Sequence, residues 1–196
     1  MTITWHGQTC FSLEGKTATV LIDPPAGRLP RANVDIMVLP QAIDHDELKG
    51  LKTEPMIVET PGEFEFKGVF IRGLAVGESS SLIYRIQIDG LSVGHFGTLA
   101  KSDETIEAFF DGVDVLCVPT GGGNVLTPTA AAEAVSSIEP RIVIPMNYRS
   151  SGASHLQPVE KFCQAMGMNG IEPQNKLSLT AKDLPHEETR IVILQD

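Results

Sequence analysis

At 196 residues the chain is long enough for one sizeable core and short for two, and 42% hydrophobic with 20% charged residues is an ordinary globular balance. One domain over residues 1–196 is expected. Fifteen basic against 25 acidic residues, a net charge of −10 and no basic run exclude a nucleic-acid binder, because phosphate-backbone binding needs Lys and Arg to displace counterions.

No apolar run approaches the roughly 20 residues that span a bilayer, and Met1–His6 has neither the basic nor the apolar part of a leader. The reading is therefore cytoplasmic, with no membrane partner. Cys10, Cys117 and Cys163 lie far apart among apolar neighbours, which fits small buried residues in a reducing compartment.

In chain order, Thr2–Trp5, Cys10–Leu13 and Thr17–Ile22 are short, β-rich and broken by Gly7, Gly15 and Asp23-Pro24-Pro25, so the chain opens with hairpin strands. Ile36–Leu39 is a continuous apolar strand, Asp46–Leu51 at most a short helix, and Met56–Val58 and Gly68–Leu74 are further strands. Ser81–Ile88 and Leu91–Val93 form a hairpin across Asp89-Gly90. The period then changes: Ser102 caps a helix over Asp103–Phe110, and Val113–Val118 is a buried strand. Thr127 with Pro128 opens a helix to Ile138, Arg141–Pro145 is the next buried strand, Val159–Met166 a third helix, and Arg190–Leu194 a last strand. A two-sheet sandwich covered by helices is the economical architecture.

Several segments in order resemble the metallo-β-lactamase fold, in the small Zn-dependent hydrolase branch similar to L-ascorbate-6-phosphate lactonase. They are Trp5-His6-Gly7-Gln8-Thr9-Cys10-Phe11, Leu21-Ile22-Asp23-Pro24, Val34 to His45, Pro61-Gly62-Glu63-Phe64-Glu65, Gly90 to Gly97, Val113 to Gly123 and Glu139 to Tyr148. The resemblance implies an α/β (α+β) four-layer αβ/βα sandwich. It also implies a metal site where the ligand pattern His-x-His-x-Asp-His reads Pro40-x-Ala42-x-Asp44-His45. Against that pattern His95 replaces an aspartate, Asn147 and Gln8 replace histidines, and Ala75 to Glu78 lack another. Pro and Ala have no side chain able to donate to a metal.

From these residues the expectation is a protein of this fold without the ancestral dinuclear centre, carrying no cofactor and acting in binding or assembly. The alternative is a hydrolase of a small phosphorylated or lactone-type molecule. It would use one Zn or Mn held by Asp44, His45 and His95, with Asp44 the catalytic carboxylate and Glu63, Glu78 or Asp23 a fourth donor. The Gly121-Gly122-Gly123 run, between a strand and a helix start, reads as a tight turn or as an anion cradle beside Asn147 and Tyr148. The partners expected are a small anionic ligand and a second copy or another protein chain.

Overall fold

The computed structural model describes residues 1–25, 33–40, 54–77, 81–150 and 153–195. Among them the strands are β1 (Thr2–Trp5), β2 (Phe11–Glu14), β3 (Thr19–Ile22), β4 (Ile36–Val38), β5 (Met56–Val58), β6 (Gly62–Phe66), β7 (Val69–Val76), β8 (Ser81–Ile88), β9 (Leu91–His95), β10 (Val115–Pro119), β11 (Ile142–Met146), β12 (Leu177–Ser178) and β13 (Arg190–Ile191). The helices are α1 (Glu104–Phe109), α2 (Pro128–Ile138) and α3 (Val159–Ala165). The short helix expected at Asp46–Leu51 lies outside the described residues.

Local chemistry sets most of these boundaries. Asp89-Gly90 and Lys67-Gly68 both have φ positive at each central residue, the twist that suits a two-residue hairpin, and they join β8 to β9 and β6 to β7. Pro128 starts α2 and the Thr127 hydroxyl accepts from Ala130 N at 3.2 Å. The cap of α1 is Asp103, whose Oδ1 accepts from Ile106 N at 3.0 Å, and not Ser102, whose hydroxyl instead reaches Glu107. Pro61-Gly62 hid one strand from the sequence reading: Glu63-Phe64-Glu65-Phe66 alternates as β6, the exposed edge of its sheet.

The strands form two mixed sheets, in the orders β12-β1-β2-β3-β4-β5 and β13-β11-β10-β9-β8-β7-β6. Apolar residues of both sheets, among them Ile3, Phe11, Val20, Ile71, Val93 and Ile144, fill one core between them. The helices follow the second sheet: Phe110, which caps α1, stacks on Phe96 at 4.9 Å, and α2 is the crossover between parallel β10 and β11. On the other face of the first sheet Cys10, Leu21, Val34, Met37 and Leu39 make a second buried cluster. The expected α+β sandwich is thus the architecture found.

Tyr84 ties the layers together. Its ring comes from β8, and its buried hydroxyl donates towards Leu39 O at 3.0 Å and Val58 O at 3.3 Å, beside the ends of β4 and β5. Tyr84→Phe takes the hydroxyl from Leu39 O, while Val58 O keeps Leu39 N at 2.9 Å, and should cost about 1–2 kcal/mol. Urea denaturation checks this, and an unchanged midpoint would mean that the hydroxyl contributes nothing.

Candidate functional site

Parallel strands of both sheets bring their carboxyl ends to one edge of the sandwich. Asp23 follows β3, Pro40 follows β4, His95 ends β9, Thr120 follows β10 and Asn147 follows β11. The turn Gly7 to Cys10, between β1 and β2, fills the centre of this edge and is closed by Cys10 N donating to Gly7 O at 2.9 Å. Hydrogen bonds from three other elements end on that turn. Asn147 N donates to Gln8 O at 3.1 Å, His95 Nε2 bonds Thr9 O at 2.9 Å, and the Thr9 hydroxyl donates to Asp23 Oδ2.

Backbone strain marks the same place. Six non-glycine residues among those described have positive φ: Gln8, Asp23, Lys67, Asp89, Glu139 and Asn147. Lys67 and Asp89 are hairpin-turn residues, and Glu139 is the left-handed cap that ends α2. Gln8 lies in the β1–β2 turn itself, whereas no hairpin turn or helix cap accounts for Asp23 and Asn147, and all three meet at that turn. Left-handed non-glycine residues persist where the surroundings over-determine them, and such positions cluster at functional sites.

Asp23 is half-buried, with Oδ2 held by Thr9; Oδ1 has no hydrogen-bond partner among the described residues. Asn147 is buried, its backbone N–H is taken by Gln8, and its carboxamide also has no partner among the described residues. The Thr120 hydroxyl is buried without one as well. The Gln8 carboxamide reaches Ser150 Oγ at 3.3 Å.

His95 is fully buried between the sheets, edge-on to Phe11 with ring centroids 6.0 Å apart. Burial keeps its pKa below the usual value, against the opposing effects of the Asp23 charge and the bond to Thr9. Gly97 N, which can only donate, points at His95 Nδ1 from 3.2 Å, while Thr9 O can only accept. The ring is therefore the neutral Nε2–H tautomer, and both nitrogens are committed within the protein. In this arrangement it has no lone pair free for a metal.

Burial, and next the Asp23 charge, push the Cys10 thiol up to about 12, so it stays protonated at neutral pH and is no nucleophile. Glu63 is exposed on β6 and pairs with Arg72 at 3.2 Å. Asp44, His45 and Glu78 lie outside the described residues. Among the described residues no three His, Cys, Asp or Glu side chains are grouped as a metal site.

The glycine run closes on itself. Gly122 N donates to Leu126 O and Val125 N to Gly122 O, so the Gly122 amide is already in use. A Cβ on Gly121 would lie 2.2 Å from Asn147 O, which explains that glycine by close backbone approach. The Tyr148 hydroxyl is taken by Leu194 O at 3.0 Å, and its ring packs against Trp5. Of the residues expected around an anion, Asn147 alone is seen to keep an unpartnered side chain. Thr9 carried no weight in the sequence reading, although Asp23 and His95 both depend on it.

A model of the beta-lactamase superfamily domain matches residues 2–147. The chain belongs to this superfamily. A UPF0173 metal-dependent hydrolase of Thermoplasma acidophilum is 30% identical, the match covering 86% of this chain and 92% of the relative. Another of the same name, from Methanoculleus marisnigri, is 32% identical over 83% of this chain and 87% of the relative. Among solved structures, one from Thermotoga maritima described as a Zn-dependent hydrolase of the metallo-β-lactamase superfamily superposes with a TM-score of 0.86 at 26% identity. The match covers 99% of this chain and 98% of that one. The metallo-β-lactamase fold protein YhfI from Bacillus subtilis, at TM-score 0.64 and 11% identity over 97% and 95% of the two chains, shares the fold.

These comparisons correct the expectation of a protein without a cofactor. Superfamily relatives similar to this chain along nearly their whole length are named metal-dependent, and the non-catalytic binding or assembly reading has no support among them. No helix among the described residues is long and apolar enough to cross a membrane.

Proposed function

We propose that the chain is a metal-dependent hydrolase of a small phosphorylated or lactone-type molecule, with its site at the edge built around the Gly7 to Cys10 turn. The observation that carries this reading is the run of relatives named metal-dependent hydrolases that match this chain over most of both lengths. The described residues fit a metal only in part. Asp23 offers a hard carboxylate oxygen with no other partner among them, whereas His95 has neither nitrogen free. Asp44 and His45 would complete the set with Asp23, Asp44 being the catalytic carboxylate.

A divalent metal bound there supplies a water whose pKa falls to about 7, a nucleophile at neutral pH. The chain's own residues do the rest. Thr9 holds Asp23 in one rotamer through its hydroxyl. The Asn147 carboxamide, without a partner among the described residues, can bond a substrate oxygen as donor or acceptor. Gln8, tied through its carbonyl to Asn147 N and Trp5 Nε1, keeps the floor of the site in place.

Elemental analysis by mass spectrometry tests the reading on untagged protein, as purified and after zinc or manganese loading and desalting. The expected result is roughly one metal ion per chain, together with chelator-sensitive hydrolysis of a phosphate ester or a lactone. Protein that retains no metal after loading would overturn it.

A further inference from the structure

We infer that His95 is a positioning residue: as the neutral Nε2–H tautomer it locks the Gly7 to Cys10 turn against β9 and so fixes the Asp23 carboxylate at the edge of the sandwich. Only the use of that carboxylate for a metal rests on the hydrolase reading.

Thr9 links the two side chains, because it faces both of them. Its carbonyl accepts from His95 Nε2 at 2.9 Å and its hydroxyl donates to Asp23 Oδ2. His95 belongs to the second sheet, while Thr9 and Asp23 belong to the first, so this chain of bonds sets the register of one sheet edge on the other. Moving the Thr9 carbonyl moves the hydroxyl that holds Asp23.

The ring is itself fixed from behind. Gly97 N donates to Nδ1 at 3.2 Å, Phe11 meets the ring edge-on, and Tyr84 on β8 and Cys117 on β10 are its cross-strand neighbours. A fully buried imidazole bonded at both nitrogens has one orientation and one tautomer, and in a dry interior such bonds are stronger than in water. A ligand would need one nitrogen free.

The test uses the full chain, zinc as the probe and two substitutions. His95→Gln places an amide N–H near the Nε2 position and can still donate to Thr9 O; His95→Phe keeps the ring volume and loses both bonds. Imidazole ¹⁵N spectra of the wild type are expected to show His95 as the Nε2–H tautomer, unchanged when zinc is added. Carboxyl ¹³C spectra of the apo protein should show the Asp23 resonance moved in His95→Phe and near its wild-type position in His95→Gln. Zinc affinity should fall roughly 10 to 100-fold in His95→Phe and stay within about threefold in His95→Gln, the size of effect expected for a residue that orients a ligand.

Ring nitrogens that shift on zinc binding would make His95 a ligand and overturn the inference, as would equal zinc affinity in His95→Phe and the wild type. Should His95→Phe fail to fold, the wild-type spectra and His95→Gln still decide. If the wild type takes up no zinc, the hydrolase reading falls and the apo spectra judge His95 alone. The Nε2–H tautomer supports the inference; the Nδ1–H or doubly protonated ring overturns it.

Discussion

Gly121→Ala is expected to lose about 3 kcal/mol or more of stability, which for a chain of this length is a fall in Tm of roughly 6–12 °C. The added Cβ would lie 2.2 Å from Asn147 O and 3.0 Å from Leu156 Cβ, far inside contact distance. The obstruction at Asn147 is backbone, and it has nowhere to move. Asn147 N is bonded to Gln8 O, Arg149 N to Gln157 O, and Gln157 N to Gly121 O at 2.7 Å. The strand ends must therefore part together, carrying the Asn147 carboxamide away from the site.

Gly123 is the control. A Cβ there meets Leu156 Cδ2 at an ordinary 3.9 Å, so Gly123→Ala bears only the left-handed backbone, at φ 71°, for about 1 kcal/mol. Calorimetry on the two variants separates the effects; equal losses would mean that the approach to Asn147 is not what requires Gly121.

Asp23→Asn is expected to leave the fold intact and to lower zinc affinity by roughly 100-fold or more, since it removes a proposed direct ligand and not just an orienting group. The side chain keeps its shape, asparagine tolerates the left-handed backbone found at φ 48°, and a carbonyl oxygen can still accept from Thr9. What disappears is the negative charge. Competition against a chromophoric chelator reads the affinity and circular dichroism the fold. Unchanged affinity would take Asp23 out of the ligand set.

The sequence carried the fold wherever local chemistry decides structure. Asp89-Gly90 and Thr127-Pro128 marked their hairpin and helix start because turn conformation and capping are properties of adjacent residues. β12 could not be read in this way: Leu177 and Ser178 are strand only because Ile3 and Thr2 pair with them from the other end of the chain. The same division holds at the site. Asp23 was visible from its place at a strand end before Pro24. The role of His95 was not, because its partner is the main-chain carbonyl of Thr9, 86 positions away, and side-chain motifs do not encode main-chain acceptors. A histidine at a metal-ligand position reads as a ligand until both of its nitrogens are accounted for.

The chain has one tryptophan. Trp5 lies 5.1 Å from Tyr148, ring to ring, and its Nε1 donates to Gln8 O at 2.9 Å, the carbonyl that also receives Asn147 N. The protein therefore has a single indole fluorophore bonded to the floor of its own site. Any event that shifts Gln8 changes the polarity around that indole, so ligand uptake can be followed as a change in emission wavelength, without a label and before any substrate is known.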